Sequence, residues 1–195
     1  MTASTTDTHP PKSRRPRRTV RWVALIAAIV LAAVAIFVAT RPSSQATAVQ
    51  SPLLGQRAPG FSESSFSGHD VKLSDYRGRY VLVNFFASWC PPCQEEEPNL
   101  VKFAFQQGND PNGAAVVSVV FDDPNAAARQ FVENWGATWP TIPDPGGLIA
   151  SAYGVTAPPS TFLISPDGVV VGEETGPVTV AQLDQLLSVT RHHVG

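Results

Sequence analysis

Both cysteines of the chain lie in one tetrapeptide, Cys90-Pro91-Pro92-Cys93, and its flanks restrict the fold more than any other feature. Before it, residues 80–86 (Tyr-Val-Leu-Val-Asn-Phe-Phe) are apolar apart from Asn84, as in a central strand covered on both faces. After it, residues 94–107 read as a helix, with Pro98 predicted to kink it. A C-x-x-C where a buried strand turns into a helix is a redox signal. The reason is geometric. The first sulfur stands at a helix N-terminus, where unpaired N–H groups and the helix dipole favour a thiolate. The second stands one turn inside, within reach of a mixed disulfide formed at the first. Exchange needs both, Cys90 as the entering nucleophile and Cys93 as the resolving thiol.

Other uses of a cysteine pair fit less well. Structural zinc takes four ligands, usually from two such pairs, and there is no second pair. His192 and His193 fall in a predicted C-terminal tail, residues 191–195. No metal and no cofactor is therefore expected. A purely structural disulfide closing so short a loop constrains the unfolded chain little. A peroxidatic cysteine wants a hydroxyl residue three positions upstream, where this chain has Ala87.

The net charge of −2 hides an asymmetry. Residues 1–41 hold seven of the fourteen basic residues and one of the sixteen acids, so the rest carries seven against fifteen, a net of −8. Such an acidic body repels phosphate backbones, which argues against nucleic acid as a partner. Residues 22–39 are uncharged and rich in Ala, Val, Ile and Leu. As a helix they would span roughly 27 Å, close to the hydrocarbon core of a bilayer. Six basic residues precede this run, which places residues 1–21 in the cytoplasm and the chain after Arg41 outside. The expectation is a single-pass signal-anchor over 22–40 in the cell membrane. The competing reading is a cleaved secretory signal with Ala46-Thr47-Ala48 as its cut site, against which the long apolar run counts. Residues 41–55 read as a flexible linker and 56–190 as one domain, large enough for a core of its own.

Within that domain, strands are expected near residues 61–65 and 71–73, flanking a hairpin turn at 67–70. Residues 114–121 read as a second buried strand, and Asp123 or Asn125 as the cap of a helix through 126–135. A hairpin pairs residues 161–165 with 169–173 about Pro166-Asp167-Gly168. Thr179 caps a closing helix over 180–187. Strand, helix and strand, followed by a hairpin and a helix, imply an α/β architecture, a central mixed sheet with helices on both faces.

Two stretches carry a resemblance. One runs Val83-Asn84-Phe85-Phe86-Ala87-Ser88-Trp89-Cys90-Pro91-Pro92-Cys93-Gln94-Glu95-Glu96-Glu97-Pro98, the other Tyr153-Gly154-Val155-Thr156-Ala157-Pro158-Pro159-Ser160-Thr161-Phe162-Leu163-Ile164. Over residues 56–190 the chain resembles the thioredoxin superfamily, in particular its membrane-anchored TlpA, ResA and CcmG (DsbE) branch. The resemblance implies a thioredoxin-like fold with an added N-terminal hairpin. It makes Pro159 the cis proline against the C-x-x-C, with Pro158 offering its backbone to a bound chain. Trp89, Pro91, Pro92 and Pro158 are then the expected substrate contacts. Thioredoxins proper carry a buried aspartate where this chain has Asn84. The TlpA-like branch instead implies Glu96 as the proton acceptor for Cys93. The plainer reading makes Glu95, Glu96 and Glu97 a solvated helical face, although three adjacent residues cannot share one face.

Neither Pro91 nor Pro92 offers an N–H to the Cys90 sulfur, which predicts a weaker thiolate than in strongly oxidising relatives. The expected activity is reduction of extracytoplasmic protein disulfides, apocytochrome c being the family's best-known substrate. The resemblance also implies a DsbD/CcdA-type membrane electron donor. The alternative is an oxidase that introduces disulfides into secreted proteins. A non-catalytic peptide-binding module is a third reading, which the cysteine pair disfavours.

Overall fold

The computed structural model describes residues 22–23, 26–31 and 52–193. Contacts divide the chain into two units, residues 1–47 and 48–195. In the first, residues 22–23 and 26–31 are helical and exposed. The basic tail (1–21), most of the expected anchor (22–40) and most of the linker (41–55) lie outside the described residues. Among the described residues no helix is long and apolar enough to cross a membrane.

In the second unit, β1 (Ser62–Ser64) and β2 (Asp70–Lys72) form the expected antiparallel hairpin, followed by a 3-10 turn, Leu73–Tyr76. The central sheet contains β3 (Val81–Phe86), β4 (Ala115–Val120), β5 (Thr141–Ile142), β6 (Ser160–Ile164) and β7 (Val170–Thr175), in the order β5-β4-β3-β6-β7. β3, β4 and β5 run parallel, and β6 and β7 are antiparallel to their neighbours. All six residues of β3 are buried, which explains why its sequence does not alternate.

Four helices connect and cover these strands: α1 (Pro91–Gly108), α2 (Asn125–Trp135), α3 (Leu148–Tyr153) and α4 (Val180–His193). Leu82 of β3, Val116 of β4 and Leu163 of β6 meet Leu100 and Phe103 of α1 and Leu183 and Leu187 of α4. Phe86 and Val120 meet Ala128, Phe131 and Val132 of α2, in a cluster that includes both cysteines. The opposite face packs Val83, Phe85, Val117 and Phe162 against α3 and the hairpin. There Phe162 lies 5.8 Å from Phe85 and 5.1 Å from Tyr153, ring centroid to centroid, in edge-on contacts. Phe162→Ala is expected to cost about 3–5 kcal/mol, because it opens a cavity where three rings meet. A urea transition whose midpoint moves by less than about 1 kcal/mol equivalent, at unchanged slope, would contradict this packing.

Two local expectations change. The N-cap of α2 is Pro124, with no side-chain cap, in place of Asp123 or Asn125. Asp123 turns instead to the loop after β3, as described below. The closing helix passes residue 187 and continues to His193, so most of the expected tail, 191–195, is helical. Arg191 secures this last turn, donating to the Asn112 carbonyl at 2.7 Å and covering the Tyr80 ring. Pro98 lies inside α1, which continues through it. Thr179 does cap α4: its Oγ1 accepts from Gln182 N–H at 3.3 Å, and Gln182 Oε1 accepts from Thr179 N–H at 2.9 Å.

The two borders of the sheet are covered differently. Residues 54–57 run along the start of β7, with Gly55 N–H donating to Val170 and Val170 N–H to Gln56. At the other border β5 has only two residues, set between Pro140 and Pro143, and the Thr141 carbonyl accepts from Phe66 N–H.

Candidate active site

Strand β3 delivers the chain to the rim of the sheet, and α1 begins after four intervening residues. Cys90 is the N-cap of α1, in extended conformation (φ −90°, ψ 109°), and Pro91 and Pro92 open the helix. Proline is tolerated there because the first helical N–H groups have no intrahelical acceptor. The two cysteines form a disulfide with Cα atoms 5.3 Å apart. Cys93 N–H donates to Cys90 Sγ at 3.3 Å. It is the only hydrogen-bond donor to that sulfur among the described residues, in keeping with two prolines between them. Cys93 is fully enclosed, whereas Cys90 is 3 % exposed and borders exposed Trp89 and Pro91.

The Pro158–Pro159 peptide bond is cis, as the resemblance implied for Pro159. Pro159 is buried and Pro158 half-buried. The Pro158 carbonyl oxygen lies 3.6 Å from Cys90 Sγ. Thus Trp89, Cys90, Pro91, Pro92 and Pro158 share one rim, contributed by the β3–α1 and α3–β6 connections.

A third loop joins them that the sequence reading did not include. Trp89 Nε1 donates to the Asp122 carbonyl at 3.0 Å, and Ser88 N–H to Asp123 Oδ2 at 2.6 Å. Asp122 adopts a left-handed φ of 42°, uncommon for a non-glycine residue. The signal was available: parallel strands β3 and β4 end side by side, with Phe86 opposite Val120, so the residues after each must be neighbours. Beyond Asp122 a cavity of about 460 Å³ extends along Asp144, Gly147, Ser151 and Val155.

Beneath the disulfide the interior is polar. Asn84 Nδ2 donates to Glu96 Oε1 at 2.8 Å and to Thr161 Oγ1 at 3.1 Å. Glu96 Oε2 accepts from Val178 N–H at 3.1 Å. Burial pushes the Glu96 carboxyl up to about 7, against the lowering effect of these two hydrogen bonds. Glu97 is buried as well, which the sequence reading did not anticipate. Burial, with the adjacent Glu96 charge, pushes it up to about 8. Glu95 alone of the three is exposed, so the solvated-face reading holds only for it. Asn84 Oδ1 has no hydrogen-bond partner among the described residues, and a proton on a neighbouring carboxyl or thiol would suit it.

A redox-competent cysteine pair, a cis proline against it and a buried carboxyl one turn behind it compose a site for thiol–disulfide exchange. Comparison with known proteins agrees. Residues 54–172 match the AhpC/TSA family. The thiol-disulfide oxidoreductase ResA of Geobacillus kaustophilus is 32% identical over 161 residues, 82% of this chain and 88% of that protein. The ResA of Bacillus subtilis is 31% identical, over 70% of this chain and 75% of its own length. A crystal structure assigned as the thiol:disulfide interchange protein DsbE of Chlorobium tepidum superposes with a TM-score of 0.64 at 31% identity. It covers 70% of this chain and 96% of that one. The chain accordingly belongs to the AhpC/TSA family of thioredoxin-like proteins, and within it to the thiol–disulfide oxidoreductases of ResA and DsbE type.

Proposed function

We propose that this oxidoreductase works outside the cytoplasm as a reductant of protein disulfides, held at the cell membrane by residues 22–40. Cys90 thiolate attacks a partner disulfide, forming a mixed disulfide and releasing the partner's other sulfur as a thiolate. Glu96 carboxylate takes the Cys93 proton. Cys93 thiolate then attacks Cys90 Sγ and frees the second partner sulfur, leaving the Cys90–Cys93 disulfide and a partner reduced by two electrons. The cis Pro159 and the Pro158 backbone hold the extended partner chain, while Trp89, Pro91 and Pro92 form the surface it meets. Returning the enzyme to its dithiol needs electrons from a membrane donor, for which a DsbD/CcdA-type transporter is suited. The substrate class is cysteine-containing secreted or membrane proteins, apocytochrome c among them.

One observation carries the direction. Only the Cys93 amide donates to Cys90 Sγ among the described residues, so the thiolate is lightly stabilised and the dithiol remains a competent electron donor. The second reading, an oxidase of secreted proteins, draws on the place of Cys90 at the N-terminus of an 18-residue helix, whose dipole favours the thiolate. Equilibration with a glutathione or dithiothreitol redox buffer separates the two. A potential near about −270 mV supports the reductant, and one near about −120 mV overturns it in favour of the oxidase.

A further inference from the structure

Behind the disulfide α1 buries two consecutive carboxyls, and only one of them has hydrogen-bond donors. Glu96 and Glu97 follow Cys93 by three and four residues, so all three share one helix face, with neighbouring Cβ atoms about 5–6 Å apart. Cys93 is 0 % exposed and Glu97 3 %. A proton gained by the Cys93 sulfur must therefore come from a neighbouring group, since water does not reach it. Glu96 cannot be that source while ionised, and its two oxygens accept from Asn84 and Val178, the arrangement of an acceptor-only carboxylate. Glu97 accepts no hydrogen bond from any described residue, and burial without a donor disfavours its charged form.

Among the described residues no cation offsets a second charge there. Strands β4 and β6 carry no ionisable side chain, and β3 none. On β7, Glu173 and Glu174 are acidic. On α2, Glu133 is exposed and Arg129 donates to the Phe66 carbonyl at 2.6 Å. On α4, Asp184 is exposed and Arg191 is bound to Asn112, while Lys102 of α1 is exposed.

We propose that Glu97 holds the proton delivered to Cys93 when the disulfide opens, and that Glu96 and Glu97 share this proton through the cycle. The inference rests on the exchange reading above. When a donor thiolate attacks Cys90 Sγ, the S–S bond breaks and its electron pair goes to Cys93 Sγ. That sulfur takes the Glu97 proton, leaving a thiol and two carboxylates. When Cys93 later resolves a mixed disulfide, its proton passes to Glu96 and returns to Glu97, restoring one neutral and one ionised carboxyl. The raised affinity of Glu97 for its proton places the switch near pH 8; as a coupled pair, the two groups titrate together.

The test is the opening of the oxidised full chain by dithiothreitol, with acid quench, alkylation of the freed thiols, and rates expressed per dithiothreitol thiolate. For the wild type this normalised rate is expected to fall at least about tenfold between pH 7 and 9, as Glu97 loses the proton it donates. Glu97→Gln, which keeps the shape but has no proton to give, is expected to be about tenfold slower at pH 7 and flat across that range. A flat wild-type profile, which needs no variant to measure, overturns the proposal. So does a Glu97→Gln protein whose rate and profile match the wild type. Reaction of the reduced chain with Ellman's reagent keeps the two readings apart. If reduced Glu97→Gln releases two equivalents while its opening matches the wild type, only the Glu97 role fails. If the wild type itself releases none, the exchange reading fails with it.

Discussion

Cys90→Ser is expected to abolish disulfide turnover, by more than about 10³-fold, whereas Cys93→Ser completes one half-reaction and stops as a covalent adduct with its partner. The asymmetry follows from position. Cys90 stands at the helix N-cap on the rim, 3.6 Å from the Pro158 carbonyl, where an incoming sulfur can arrive. Cys93 is fully enclosed and meets only a sulfur already bound to Cys90. With a model protein disulfide, the Cys93→Ser protein should appear in a non-reducing gel as a one-to-one adduct that dithiothreitol dissolves. The Cys90→Ser protein should give none. The reverse assignment, adducts through Cys93 in a Cys90→Ser protein, would refute this site. Applied to an extract of the compartment outside the cytoplasm, the same Cys93→Ser trap captures natural partners and so tests the proposed substrate class.

The oxidised protein is expected to lose stability as pH rises from about 4.5 to about 8, contrary to ordinary acid denaturation. Both Glu96 and Glu97 bind their protons more tightly in the folded state, up to about 7 and about 8, than in the unfolded chain. Between the unfolded and folded values the native state therefore holds more protons. By linkage, unfolding free energy must then fall with pH, and the stability is fully present only below the unfolded value. At 1.36 kcal/mol per unit, the rise of the two carboxyls from 4.5 to about 7 and about 8 corresponds to a decline on the order of 8 kcal/mol. Glu97→Gln should flatten most of the upper half of this slope and stabilise the oxidised protein at pH 8 by about 4 kcal/mol. Urea unfolding of the disulfide form at several pH values checks both. Stability that rose steadily from pH 5 to pH 8 would mean that the two carboxyls are not buried as described.

How far the sequence led depended on whether an element's signal was local. Residues 80–86 announced a central strand because a strand buried on both faces must be apolar throughout; Cys90 followed from the C-x-x-C beside it, and Pro159 from the family resemblance. The Thr179 cap was legible because its reciprocal partner, Gln182, lies three residues on. Strand β5 was not legible. Two residues, Thr141 and Ile142, carry no periodicity, and their state is fixed by pairing with Ser118 and Val119 of β4. Helix α3 is six residues long and depends on Asp144, whose carboxylate accepts from the Ile149 and Ala150 amides. The burial of Glu97 was hidden for another reason. A charged side chain reads as solvated unless its proton affinity is known, and that affinity is set by tertiary burial. Asp123 misled in a similar way: its cap chemistry was real, but the amide it satisfies belongs to Ser88, 35 residues away.

The borders of the sheet bear on what kind of client this enzyme can handle safely. Unfolded polypeptides with open cysteines are sticky, and a bare strand border invites them to zip on as an extra strand. Here one border begins under residues 54–57 and continues past Glu173 and Glu174, and the other is two residues long between prolines. Under the proposed function, a polypeptide client is thereby steered to the rim where its sulfur is wanted, and it leaves once that single bond is resolved. If its clients are the half-folded chains proposed above, such an enzyme gains turnover from being a poor template for aggregation.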